Sequence, residues 1–285
     1  MKRLLCLIML VALLLPALAL GESQMARRPD IDTKAELDPP YDFDPETMLP
    51  REFGPYFEQE YPVSVDTYPL LPGTEWENTV TVLKAEQEGP VIYVVAGVHG
   101  GEIAAWSAGN LLKKIGIKAG TLYILSPANP WGAAAEPRSR YVRGEEDLNR
   151  SFPGDPEGNA ARQIAYAIFT DIRDKNPVFV FDLHEAATNK EGRDFLGRSL
   201  IYTTLDGIED MYLDLLLETQ LGTLTSMPFD FFSPGPIGSI NNTVANDLKT
   251  PVITVETYRA DPMEVRIADQ LAVVQFVLRD YGMVE

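Results

Sequence analysis

An apolar run at residues 91–97 ends in Gly97, and after Val98, His99, Gly100, Gly101 and Glu102 a helical pattern opens at Ile103. A strand that enters a helix through a glycine-rich turn leaves its last residues at the carboxyl edge of a sheet. Open α/β sheets bind ligands at that edge. Further strands are expected at residues 78–85, 121–125, 178–181, 199–203 and 252–255, with 61–73 adding an edge and 86–90 forming a turn. Helices are expected at about 102–115, 160–169 and 208–221. A last one is opened by Asp261 and Pro262, since proline suits an early helical position. Strands alternating with helices predict a three-layer α/β sandwich with a mixed, largely parallel sheet.

The two ends of the chain read differently. Lys2 and Arg3 precede the apolar stretch 4–15, and Ala17, Leu18 and Ala19 form a small-x-small site, so residues 1–21 are expected to be a signal peptide. The apolar run is shorter than the ~20 residues a span needs. The protein is therefore expected to be exported, periplasmic or secreted, without stable membrane insertion after cleavage. Residues 22–60 are rich in Pro, Asp and Glu and read as an acidic arm or linker. Residues 61–285 are expected to form one folded domain. The one cysteine, Cys6, would leave with the signal, so stability is expected from an ordinary core rather than disulfides. The net charge of -18 excludes nucleic acid as a partner. An anionic substrate must then be met by a local group of arginines.

The chemistry starts from histidine usage. The chain has 2 histidines, His99 and His184. Each follows or ends an apolar, strand-like run, so two strands would bring both imidazoles to one edge. Glu102 lies three residues after His99, and a catalytic zinc takes three N or O ligands and keeps one position for water. Fe²⁺, Co²⁺ or Mn²⁺ suits the same donors. Asn149 and Arg150, adjacent in the unpatterned stretch 129–158, can bind a carboxylate through a guanidinium fork and an amide. Arg138, Arg140 and Arg143 form a basic group in an acidic chain. One of them could polarise a carbonyl, and at least one is expected merely to be solvated. Glu256 ends an apolar strand at the same edge and could carry a proton between water and a leaving nitrogen. Asp182, two before His184, reads equally as a support for that histidine or as a solvent-side residue. A loop at 234–238 is expected over the site.

Together these residues resemble the succinylglutamate desuccinylase and aspartoacylase family, within the zinc carboxypeptidase-like fold. The resemblance rests on residues 97–102, Arg140 with Tyr141, residues 147–150, residues 182–186 and residues 254–256, in the family's order. It implies that His99, Glu102 and His184 bind one Zn²⁺ and that Glu256 is the general base and acid. It implies that Asn149 and Arg150 grip the substrate's free carboxylate. It also implies that Arg140 polarises the scissile carbonyl, although Arg138 or Arg143 could hold that role. The family's C-terminal β domain is expected to be lacking, since only some 29 residues follow Glu256.

The function expected is a secreted zinc-dependent hydrolase that cleaves an amide next to a free carboxylate, like an N-acyl amino acid deacylase. The substrate is a small carboxylated amide or peptide. A carboxypeptidase or amidase on peptides or murein peptides would use the same apparatus. A non-catalytic carboxylate-binding protein would not need Glu256. A structural surface protein would bind no stoichiometric zinc.

Overall fold

The computed structural model describes residues 47–53, 57, 59–144, 146–186 and 196–285. The expected signal peptide and most of the expected arm lie outside these residues. Eight strands form one sheet: β1 Val63–Leu70, β2 Asn78–Ala85, β3 Gln87–Ala96, β4 Ala119–Leu125, β5 Phe179–Ala186, β6 Ser199–Tyr202, β7 Asp230–Phe232 and β8 Val252–Tyr258. Their order across the sheet is β1-β2-β4-β3-β5-β8-β6-β7. The four central strands, β4, β3, β5 and β8, run parallel. β1, β2 and β6 pair antiparallel around them. The sheet is thus mixed and largely parallel, as expected.

The four long helices are α1 Ile103–Leu112, α2 Ala160–Lys175, α3 Glu209–Leu221 and α4 Met263–Asp280. They cover both faces, which is why the central strands read as unbroken apolar runs. On one face, α1, α3 and α4 pack against Ile92, Val94, Ala96, Phe179, Phe181 and Leu183. On the other, α2 and the short helix Ile240–Thr243 pack against Tyr93, Val95, Val180 and Val252. The helices show why they form. Asn159 caps α2, its side chain accepting from Arg162 N at 3.0 Å. Within α2, Ala161, Ile164, Ala165, Ile168 and Ile172 are buried, a single stripe at helical spacing. In α1 every residue except Trp106 is buried, because it lies between the sheet and α4.

Several boundaries differ from the expectation: β5 runs on to Ala186, β8 to Tyr258 and α2 to Lys175. Residues 86–90 were expected to turn, but β3 begins at Gln87 and reaches back to pair with Ala119. The register shifts between Gln87 and Val91, so a bulge lets this polar, proline-containing stretch stay in the sheet. β7 and the helical stretch from Ile240 to Leu248 were not expected. Among the described residues no helix is long and apolar enough to cross a membrane.

Candidate metal centre

The centre is built where β3 and β5 end side by side. Gly97 turns the chain out of β3 with φ +72°, a conformation that disfavours any side chain. Its N–H donates to Leu183 O at 3.3 Å, which ties the turn to β5. Gly100 lies against the turn Pro130–Ala133, where an added Cβ would sit 2.1 Å from Ala133 N. These two glycines let His99 and Glu102 approach the sheet edge closely.

Alternation along β5 decides the second histidine. Phe179, Phe181 and Leu183 enter one core and Val180 the other. By the same period of two, Asp182 and His184 share the face of Val180. β8 lies parallel with Asp182 opposite Thr254 and His184 opposite Glu256. One face of two neighbouring strands therefore carries Asp182, His184, Thr254 and Glu256, and all four are buried.

His99, Glu102 and His184 converge. One ligand atom from each lies within 4.8 Å of the others, and all three residues are buried. The Glu102 carboxylate faces both rings, with Oε1 2.7 Å from His99 Nδ1 and Oε2 2.7 Å from His184 Nδ1. The ring centroids are 4.8 Å apart. Each ring has a carboxylate behind it. His99 Nε2 lies 3.0 Å from Asp147 Oδ1. His184 Nε2 lies 2.9 Å from Asp182 Oδ1, an ion-pair approach rather than an aligned hydrogen bond. Asp182 is fully buried, not the solvent-side residue that was the alternative. Its Oδ2 accepts from Thr254 Oγ1 at 3.0 Å. Asn241 Nδ2 donates to that hydroxyl in turn at 3.1 Å.

The long stretch 129–158 supplies the arginines. Asp147 starts the turn Leu148–Arg150, accepting from Asn149 N at 2.9 Å. Its Oδ2 accepts two hydrogen bonds from Arg140, from Nε at 3.0 Å and Nη2 at 2.7 Å. Arg140 is thereby fixed beside His99. Arg143 instead pairs with Glu75 on the surface and lies over Trp76, and Arg138 is exposed. Asn149 is buried, its Oδ1 accepting from Ile240 N at 3.1 Å and its Nδ2 lying 3.2 Å from His184 Nε2. Arg150 donates to Asn149 O at 2.7 Å. Gly238, in the loop expected over the site, accepts from Phe152 N at 3.0 Å and packs against Arg150.

The charges answer one another. Burial alone would push the Glu102 carboxyl up, but the two imidazoles hold it well below the usual carboxylate range. Burial would lower His184, and Asp182 followed by Glu102 raise it well above its ordinary value. Burial likewise opposes ionisation of Asp147, yet His99 and Arg140 hold it far down. Burial would lower Arg140, while Asp147, Glu102 and Glu256 raise it. The pocket thus demands positive charge between two Nδ1 atoms and a carboxylate. A divalent cation meets that demand with a two-nitrogen, one-carboxylate donor set that suits Zn²⁺. The carboxylates behind both rings fix their orientation, as is usual for metal-binding histidines. Asp147 is given no role by the sequence alone. The signal for Asp147 was an acidic residue opening a turn.

Residues 88–281 match the family model described as the succinylglutamate desuccinylase/aspartoacylase catalytic domain. An aspartoacylase family protein from Mesorhizobium loti superposes with a TM-score of 0.58 at 22% identity, over 80% of this chain and 69% of that one. The product-bound ectoine utilization protein EutE from Ruegeria pomeroyi gives 0.58 at 18% identity, over 80% and 73%. A candidate metallopeptidase from Shewanella denitrificans gives 0.57 at 14%, over 77% and 85%. At such identities the likeness is one of fold. No curated protein matches the chain in sequence.

Proposed function

This chain belongs to the succinylglutamate desuccinylase/aspartoacylase family, and from that premise we propose that it is a zinc-dependent hydrolase of an amide bond next to a free carboxylate. Its substrates are N-acyl amino acids or related small carboxylated amides. The observation that carries this is the convergence of His99, Glu102 and His184 at the edge where Glu256 lies opposite His184.

A divalent cation held by these three residues supplies Lewis acidity toward a carbonyl and toward water. The chain's own residues do the rest. Glu256, opposite His184, takes a proton from the attacking water and returns it to the departing nitrogen. Arg140, oriented by two hydrogen bonds to Asp147, holds the negative charge that grows on the carbonyl oxygen. Arg150 pairs with the substrate carboxylate and Asn149 adds a neutral donor through Nδ2, its Oδ1 being held by Ile240. Gripping the carboxylate fixes the scissile bond over the site. Burial of the donor set keeps water from screening these charges.

Export is part of the same proposal, supported by the charged start, the apolar stretch and the small-residue site within residues 1–21. The test is metal content of the purified chain with hydrolysis of N-acyl amino acids and of C-terminally free peptides. One zinc per chain and chelator-sensitive release of the free amino acid is the expected result. Turnover of peptides alone would move the substrate to the carboxypeptidase class. Metal-free protein inert toward both would overturn the proposal.

A further inference from the structure

Helix α1 begins beside the metal centre with an N-terminus capped from elsewhere. Glu102 is its N-cap residue, at φ −94° and ψ 78°, and its own carboxylate makes no capping hydrogen bond. A side chain at that position ordinarily accepts from the N–H two or three residues on. Ala104 N–H would therefore compete with the imidazoles for Glu102. In this chain that N–H is already taken, donating to Glu185 Oε2 at 2.8 Å. Glu185 also donates its main-chain N–H to Glu102 Oε2 at 3.1 Å. Both Glu102 oxygens are left facing His99 and His184.

Glu185 brings a charge into a dry place, and the fold supplies the counter-charge. Glu185 and Arg266 are both buried, and the Arg266 guanidinium, from α4, pairs with Glu185 Oε1. One turn further along α4, Gln270 Nε2 donates to His184 O and to Thr257 Oγ1, both at 3.0 Å. Helix α4 thus grips two consecutive residues of β5, His184 by its carbonyl and Glu185 by its side chain. Glu185 meets the donor set through its main-chain N–H, which donates to Glu102 Oε2.

We infer that Glu185, neutralised by Arg266, is a positioning residue for the metal: it caps helix α1 in place of Glu102 and so leaves the Glu102 carboxylate to the cation. This rests on the metal proposal above. Without Glu185, the Ala104 N–H stays unpaired in a buried position or draws the Glu102 carboxylate away from the imidazoles.

The test is zinc affinity of the full chain, by competition with a chromophoric chelator, with Co²⁺ absorption as a second readout. The parent is compared with two double variants. Glu185→Leu with Arg266→Met removes both charges together, strands no buried ion, and removes the cap. Glu185→Gln with Arg266→Gln keeps an acceptor for Ala104 N–H. The apolar pair is expected to bind zinc about 10–100-fold more weakly with an altered Co²⁺ band. The amide pair is expected to stay within about threefold of the parent, because an uncharged acceptor also caps a helix. Equal affinity in all three, or equal loss in both variants, overturns the inference. Should the apolar pair not fold, Glu185→Asp serves. It keeps a carboxylate for Arg266 but withdraws it from Ala104, and affinity is expected to fall about tenfold. Unchanged affinity there overturns the inference too. A parent that binds no zinc would instead overturn the metal proposal, so the two failures are distinct.

Discussion

His184 and Glu256 stand directly opposite each other on neighbouring parallel strands, β5 and β8, with both side chains on the face that holds Asp182 and Thr254. This register puts the proposed proton carrier next to a proposed ligand without needing a loop to place it. Glu256→Gln should therefore leave the donor set intact. Zinc content is expected to be unchanged, while kcat falls about 10²–10⁴-fold. Loss of metal in this variant would mean that Glu256 helps to hold the ion rather than to move protons.

Asp182 is expected to act through His184 alone. Asp182→Asn keeps the volume and the contact to Thr254 but removes the charge beside His184 Nε2. Zinc affinity should drop about 10–100-fold. Thr254→Val, one hydrogen bond further out, should cost less. Chelator competition on both variants checks the order, and a larger loss for Thr254 would refute it.

Among the three neighbouring arginines the geometry predicts unequal effects. Arg140→Ala should lower kcat/KM about 10²–10³-fold, the usual cost of losing a donor to the developing oxyanion. Arg143→Ala, whose partner Glu75 is on the surface, should change kcat/KM by less than about twofold, since exposed ion pairs contribute little. Steady-state kinetics on both variants decides this, and equal losses would contradict it.

The pH dependence of metal-free stability follows from two buried groups. His184 has a folded pKa raised well above 6.5. Its contribution is fully present below pH 6.5 and is lost as pH rises through the folded value. Glu102 has a folded pKa lowered well below 4.5. Its contribution is present above that value and is lost as pH falls through the folded one. Zinc must displace the imidazole proton, so its affinity should rise with pH while metal-free stability declines. Denaturant titrations and zinc competition at pH 6 and pH 8 would show opposite trends. At a free zinc concentration of 100 Kd the metal should add about 2.7 kcal/mol of stability.

Most of the frame was legible in the sequence because the central strands are buried on both faces. β2 was expected at residues 78–85 and lies at Asn78–Ala85. His99, Glu102, His184 and Glu256 were placed at one edge because apolar runs lead to them. The start of β3 was not legible. Gln87, Glu88, Gly89 and Pro90 carry turn chemistry, and the pairing of Gln87 with Ala119 keeps the stretch in the sheet. The three residues of β7 are too few to show a period. Asp147 and Glu185 act across 48 and 81 residues of chain, so no local pattern announced them. Asp182 could not be assigned until β8 covered it and left it fully buried.

The most direct measurement of the central claim is anomalous diffraction at the zinc edge from crystals grown with zinc. One strong peak per chain is expected, bounded by His99 Nδ1, His184 Nδ1 and the Glu102 carboxylate. No peak there, or a stronger one elsewhere on the chain, would contradict it.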